Sequence, residues 1–449
     1  MMKTTNRRSF LKTSGKSVAG VALAMTAASY QRVRGASERV NLGLIGCGGR
    51  GTYVIRGLAE SGASVTHLCD LMPSRLESTA KFLSETQPEK PKLVHDMQRV
   101  FADKDVQAVV IATPDHWHGP AAIMALQAGK DVYVEKPHAH NIWESEMMIK
   151  AARESNRILQ VGTQNRSGPY NLKALDYLKT GRLGKISFVK VFNMKPGVPF
   201  HLGDPGKKPR DFNWDAWLGR APLRPYHQRI FLGGWHHFWD FSGGDMADDG
   251  IHQIDLALML MQDPGLPKSV RSVGGRYAHR GDDSESPDLQ VVNYDFGDFI
   301  MTFELTGYPR YMRKTTGTIR RKDELPYWTQ NATRIELYGS DLMMIIGRHG
   351  GGWVVMTSGG KVLEKVYGRP ADVPHYKNFL ECVKSRQKPN ADIAIAHQAN
   401  TVMHMGNIAH RVGNTALNYD SHRGRFDNSD ANKLIKPFYR KPYEIADYV

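Results

Sequence analysis

The sequence predicts an α/β fold: a doubly wound parallel sheet, then a second α/β unit built on a mostly antiparallel sheet. Three observations predict it. Short apolar runs alternate with helix-length segments between Val40 and Val161. A glycine-rich turn, Gly46-Cys47-Gly48-Gly49-Arg50-Gly51, follows the first apolar run. From Gly184 onward, apolar runs come in tandem with short turns such as Phe296-Gly297-Asp298, as antiparallel pairing requires.

The chain has 449 residues, of which 41% are hydrophobic and 23% charged, so it buries a large core and is not a disordered chain. Its net charge of +15 raises the question of a nucleic-acid or anionic-membrane partner. Residues 1–37 hold seven basic residues and no acid. They run from a basic stretch through a mildly apolar segment, Val18 to Ala28, to small and polar residues. That order is an export signal, and the apolar segment is too short to span a bilayer. Asn6-Arg7-Arg8-Ser9-Phe10-Leu11-Lys12 resembles a twin-arginine signal, which carries folded proteins. The expectation is contact with the twin-arginine translocase during export, a periplasmic or other extracytoplasmic location, and no stable membrane insertion. Thr26-Ala27-Ala28 and a site near Ala36 both stand as cleavage points. Without residues 1–37, 53 basic residues face 45 acidic ones, a net +8. No basic block interleaved with aromatics remains, so no nucleic-acid partner is expected. Cys47, Cys69 and Cys382 are too few for a disulfide framework, and no metal site with local ligand spacing occurs.

Val40 to Ile45 reads as a buried strand, Thr52 to Glu60 as a helix, and Ala63 to Cys69 as a second strand ending in Asp70. The glycine turn between them is a dinucleotide-binding fingerprint. Gly46 permits the tight turn, Gly48 admits a pyrophosphate, Gly51 allows helix-on-strand packing, and the helix N-terminus offers free N–H groups. Gly49 and Arg50 belong to the same turn. Asp70 lies where an acid accepts ribose hydroxyls, which favours NAD over NADP; Arg75 nearby weakens that preference.

The alternation continues with a strand from Val106 to Ala112, ending in Thr113-Pro114-Asp115-His116-Trp117-His118, and a helix from Pro120 to Ala128. Val132 to Val134 ends in Glu135-Lys136-Pro137. A helix from Trp143 to Ser155 and a strand from Ile158 to Val161 complete the unit. Thr113, Pro114, His116, His118 and Glu135 thus stand at carboxyl ends of parallel strands, where ligands bind. Gln164, Asn165 and Arg166 follow the last strand as candidates for cofactor and substrate contacts. The expected organisation is a signal peptide over 1–37, a Rossmann NAD-binding domain over 38–162, and a substrate and oligomerisation domain with a C-terminal arm over 163–449.

These motifs together, with Asp248-Asp249-Gly250-Ile251-His252 further on, resemble the Gfo/Idh/MocA family of oxidoreductases over residues 39–415. The resemblance implies a C-terminal α/β domain with a large open sheet, oligomers through that sheet, and a carbohydrate substrate. It also implies that Lys136 contacts the reacting hydroxyl and that Pro137 is often cis. His252 is then the general acid/base, with Asp248 orienting its ring and stabilising its cationic form, and Asp255 a structural partner.

From the residues alone, Asp248, His252 and Asp255 fall at i, i+4, i+7, one face of a helix. Helix-dipole compensation at a helix start is the alternative for the acids. Lys136, partly buried near a cationic nicotinamide, is expected to have a lowered pKa. Strands are expected at 186–192, 270–277, 289–296, 299–305 and 334–338, and helices at 171–180, 374–385 and 395–412. Residues 193–242 read as an ordered aromatic excursion in which Trp235, His236 and His237 form a sugar-binding wall, with plain aromatic packing as the alternative. Residues 416–449 read as a polar, aperiodic wrapping arm. The expected activity is NAD(P)-dependent hydride transfer at a carbohydrate or glycoside CH–OH group. Transient oxidation leading to glycoside cleavage is the alternative, and a non-catalytic sugar- or NAD-binding protein a third.

Overall fold

The computed structural model describes residues 39–445. The twin-arginine sequence Asn6–Lys12 lies outside the described residues. In chain order the first unit runs β1 (Asn41–Ile45), α1 (Gly49–Glu60), β2 (Ser64–Cys69), α2 (Pro73–Leu83), β3 (Lys92–Val94), α3 (Met97–Ala102), β4 (Ala108–Ile111), α4 (His118–Gln127), β5 (Asp131–Val134), α5 (Ile142–Glu154) and β6 (Leu159–Val161). The six strands form a sheet in the order β3-β2-β1-β4-β5-β6, every pair parallel. The order reverses between β1 and β4, so a crevice opens outside their carboxyl ends. β1, β4 and β5 are almost wholly buried, because helices cover both faces.

The second unit runs α6 (Pro169–Lys179), β7 (Ile186–Asn193), α7 (Trp214–Leu218), α8 (Gln228–Phe231), α9 (Ile251–Leu260), β8 (Ser269–Gly275), β9 (Leu289–Asp295), β10 (Ile300–Thr306), β11 (Arg334–Gly339), β12 (Met343–Gly347), β13 (Trp353–Met356), β14 (Val362–Val366), α10 (Asp372–Ser385), α11 (Ile393–Arg411), β15 (Ala416–Asp420), β16 (Arg425–Phe426) and α12 (Ser429–Lys433). Ten strands make one open sheet, β14-β13-β12-β11-β7-β10-β9-β8-β15-β16, antiparallel except for β7 against β10. The alternating burial of β8 and β9 shows one face on the core and one outward. The apolar stripes of α6, α9 and α11 fill the inner face.

Helix boundaries follow local chemistry. Asn141 and Asp392 accept N–H bonds at the starts of α5 and α11, and Pro73 opens α2. The face of α10 carrying Tyr376, Phe379 and Val383 packs against Val54 and Leu58 of α1 and so joins the two units. Burying each of the two aromatic rings contributes roughly 1.5–3 kcal/mol.

The aromatic excursion is ordered around Phe212, Trp217, Phe231 and Phe241. The expectation of an aperiodic arm at 416–449 is corrected in part. Tyr419 and Leu417 alternate inward along β15, which extends the large sheet past β8. The chain then does turn back across the first unit. The Tyr439 hydroxyl donates to Glu144 Oε1 at 2.8 Å, Arg440 Nη2 donates to the Gly219 carbonyl at 2.7 Å, and Ile445 is buried. All three cysteines are buried and free. No helix among the described residues is long and apolar enough to cross a membrane.

Candidate active site

The glycine turn has the tightness its sequence requires. Gly46 has φ +94°, and a Cβ there would stand 2.6 Å from the Ala112 carbonyl oxygen. A Cβ on Gly51 would meet the Gly46 carbonyl oxygen at 1.9 Å, so α1 sits against the turn only because that Cβ is missing. Gly48 and Gly49 face open space instead. Asp70 is fixed behind the turn, accepting from the Cys47 and Met72 N–H groups at 2.8 Å each.

A cavity of about 920 Å³ runs from this turn over the strand ends. Its walls include Gly46, Gly48, Gly49, Arg50, Asp70, Arg75, Thr113, Pro114, His118, Glu135 and Lys136. Trp235, His236 and Asp248 close one end, and the returning arm, Pro442 to Ile445, closes another side. A long cleft, two glycines without neighbours and an oriented carboxylate fit a dinucleotide. The side chain of His118 is held between the carbonyls of Pro137 and Thr113 at 2.7 and 2.8 Å. Burial lowers its pKa.

Arg50 Nη2 donates to Glu135 Oε1 at 2.8 Å. Burial alone would raise the Glu135 pKa, but Arg50, with Lys136 and His118 nearby, outweighs it and holds the carboxyl below its usual range. Lys136 Nζ donates to Asp248 Oδ1 at 2.9 Å and to the Asp248 backbone carbonyl. The Lys136–Pro137 bond is cis. Burial would lower the Lys136 pKa, yet Asp248, Asp115 and Glu135 together raise it. The expectation of a lowered lysine pKa is therefore corrected: three carboxyl groups surround the ammonium.

The expected single stripe of Asp248, His252 and Asp255 divides. Residues Met246–Gly250 form a π-helical turn ahead of α9, and Asp248 lies in it. Widening the turn frees backbone carbonyls of their ordinary partners, and that of Asp248 meets Lys136. Asp248 carries Lys136, with Lys195 at 3.7 Å and His236 at 3.8 Å. Lys136 and Lys195 outweigh burial and push its pKa well below the usual range, while burial lowers the pKa of His236 itself. It makes no hydrogen bond to His252 among the described residues, so its expected role of orienting that ring is corrected. The His252 side chain is buried, and its Nδ1 has no hydrogen-bond partner among the described residues. Burial, then Arg348 and Lys136, holds the imidazole neutral.

Asp255 faces away from the cleft. Arg166 Nε donates to Asp255 Oδ1 at 2.7 Å, and Arg166 Nη2 to Asp263 Oδ1 at 2.8 Å. Arg166, expected to touch substrate, is thus a buried strut between the units, because two acids on and after α9 claim its guanidinium. His116, expected along the cofactor, is packed against Trp217 and Phe241, with Nε2 2.9 Å from the Trp217 carbonyl oxygen. His237, expected in the sugar wall, stacks on Phe200 at 4.1 Å, 3.0 Å from Ser284 Oγ, and lines neither cavity. Gln164, expected beside the cofactor, joins Asn165 in a second cavity of about 360 Å³. That cavity shares Arg50, Lys136 and Asp248 with the first and adds His252, Tyr170, Asp249 and Arg348.

Several site residues carried no sequence signal. Lys195 follows β7 and binds Asp245 at 2.5 Å and Asp249 at 3.3 Å. Arg348 follows β12 and approaches Asp249 at 3.6 Å. Asp115 was within reach of sequence reasoning, since it stands inside the Thr113–His118 motif. It accepts from Ser242 Oγ at 2.6 Å, and burial pushes its pKa up to about 8.

Two family models match the chain. An oxidoreductase family NAD-binding Rossmann fold covers residues 40–163, and an oxidoreductase family C-terminal alpha/beta domain covers 199–295 and 339–445. The chain belongs to the Gfo/Idh/MocA oxidoreductase family. This oxidoreductase is 28% identical over 434 residues to a Glycosyl hydrolase family 109 protein of Solibacter usitatus, covering 87% of this chain and 91% of that one. It is 31% identical over 164 residues to scyllo-inositol 2-dehydrogenase (NAD(+)) of Bacillus subtilis, covering 36% and 46% respectively. The chain thus spans about half the length of that curated relative, as it does of several Shewanella relatives at 44% and 45%. A solved levoglucosan dehydrogenase, in complex with NADH and levoglucosan, shares the fold at a TM-score of 0.62 and 18% identity, covering 85% of this chain and 99% of that one.

Proposed function

We propose that the protein is an NAD-dependent oxidoreductase acting on a carbohydrate CH–OH group, with substrate seated in the second cavity against Lys136 and His252. The observation that carries this reading is the junction of the two cavities at Lys136 and Asp248. Bound NAD supplies the hydride acceptor or donor. The glycine turn and Asp70 hold its phosphates and ribose. Lys136, kept cationic by Asp248, donates a hydrogen bond to the reacting oxygen and stabilises negative charge there. His252, neutral and with Nδ1 unpaired, accepts the hydroxyl proton as the carbonyl forms. Asp248 balances Lys136 and holds it in place through two oxygens. Trp235 and His236, stacked at 3.5 Å, form the apolar lip of the site.

A second reading has a specific observation behind it. The Solibacter relative, matched over most of both chains, carries a glycosyl hydrolase name. Transient oxidation of a glycoside followed by elimination would use the same groups and leave NAD unconsumed. Incubating the purified protein with a panel of sugars and glycosides decides between them. Lasting reduction of nicotinamide supports dehydrogenation, and release of free aglycone without it supports cleavage. Retention of full turnover by both Lys136→Ala and His252→Ala would refute the catalytic assignment.

The reading includes export of the folded holoenzyme to the periplasm by the twin-arginine translocase, and assembly into homo-oligomers. Cell fractionation tests the first: Arg7→Lys with Arg8→Lys is expected to leave the protein in the cytosol. Light scattering of the purified protein tests the second.

A further inference from the structure

The second cavity is strongly basic. Arg50, Lys136, Lys314, Arg320, Arg348 and Arg369 line it, against only Asp248, Asp249 and Asp372. Several of these charges are already matched. Arg50 is paired with Glu135, Lys136 with Asp248, and Arg369 with Asp323. The far wall is not. Asp249 faces both Lys314 at 2.5 Å and Arg348 at 3.6 Å, two cavity cations on one carboxylate, and it also meets Lys195, which Asp245 already pairs at 2.5 Å. Arg320 has no ion pair among the described residues, and its Nε donates to the Thr315 carbonyl at 2.8 Å.

The dinucleotide does not account for this surplus. Lys314, Arg320, Arg348 and Arg369 line the second cavity and not the first, where the glycine turn and Asp70 stand. Burial lowers the pKa of both Arg320 and Arg348, as expected of guanidinium groups short of counter-charge. A guanidinium fork is suited to a carboxylate or sulfate, and it is more weakly hydrated than an ammonium, so its surplus charge is best met by a bound anion.

We propose that the sugar substrate carries an anionic substituent, a carboxylate or sulfate, which seats between Arg320 and Arg348 while its reacting hydroxyl faces Lys136 and His252. This rests on the assignment of the second cavity to substrate. It predicts an acidic sugar rather than a neutral one, with binding that weakens as ionic strength rises.

Calorimetric titration of the full-length protein as purified tests it, with methyl glucuronide, glucose 6-sulfate and methyl glucoside as probes. One of the two acidic probes is expected to bind about tenfold more tightly than methyl glucoside at low salt, an advantage that shrinks at high salt. Which acid binds identifies carboxylate or sulfate. Arg320→Gln is expected to abolish that preference; the wild-type comparison and its salt dependence need no variant. Equal affinities for acidic and neutral probes, or binding of neither acid, overturn the proposal. Nicotinamide absorbance, followed in the same samples, separates this from the functional reading. Tight acid binding without redox change or aglycone release from any sugar refutes the chemistry and keeps the anion site. Turnover of neutral sugars alone does the reverse.

Discussion

Two halves of the cleft meet at Lys136: the first cavity is organised around backbone, in its glycine turn and strand ends, and the second around a network of charged side chains. The first side is centred on a turn with four glycines, a helix N-terminus and strand ends within about one hundred residues of chain. The second is an ionic network in which Lys136, Lys195, Asp248, Asp249, Lys314 and Arg348 come from strand ends, a π-helical turn and long loops. A backbone-built site tolerates changes in surrounding side chains but not an added Cβ. A network-built site tolerates changes of backbone composition but not the loss of one charge. The first carries the NAD-binding fold that the family model describes, and the second is the proposed substrate side.

Acid should have the largest effect, and it acts away from both halves of the cleft, where α10 and α11 meet the first unit. Burial lowers the pKa of His375, His397 and His404 on α10 and α11 from 6.5 to about 4 each. The unfolded chain therefore binds more protons than the folded one between those values. Stability is fully present above pH 6.5 and is lost as pH falls toward 4. Melting temperatures across that window should drop steeply, and a flat profile would show that these rings are not buried neutral.

Arg166→Met is expected to follow, costing about 4 kcal/mol by leaving Asp255 buried without its partner. Denaturant unfolding measures it, and retention of wild-type stability would mean that the strut is dispensable. Gly51→Val sharpens the contrast from the backbone-built side. Its side chain must displace the Gly46 carbonyl, at about 3 kcal/mol and with loss of co-purifying nucleotide. Nucleotide content after denaturation of the purified variant reads this out. His252→Ala should have the smallest effect on the fold. It lowers kcat/KM about 100-fold while leaving nucleotide content unchanged. Loss of nucleotide in that variant would place the ring on the cofactor side instead.

Much of the backbone-built side was legible. β1, the turn and α1 form a contiguous stretch in which apolar run, glycine positions and helix start each leave a local mark. The large sheet was legible as tandem strands, although β12 to β16 were not recognised. The second side resisted because partners were remote. Arg166 looked like a substrate contact until Asp255, 89 residues away, proved to be its partner. His116 and His118 share one motif, yet one packs against Trp217 and the other lines the cleft. Two residues of spacing cannot show which ring a loop from 193–242 will cover.

By itself the sequence determined the parallel unit, the dinucleotide turn and the placement of Glu135-Lys136-Pro137 at a strand end. Those depend on φ/ψ preferences and periodicities that act over a few residues. Only the tertiary structure decided that Lys136 remains cationic, that Asp248 serves Lys136 instead of His252, and that a basic wall faces them. Lys136 and Asp248 are 112 residues apart, and the charge state of each is set by the carboxylates and cations that folding brings within a few ångströms.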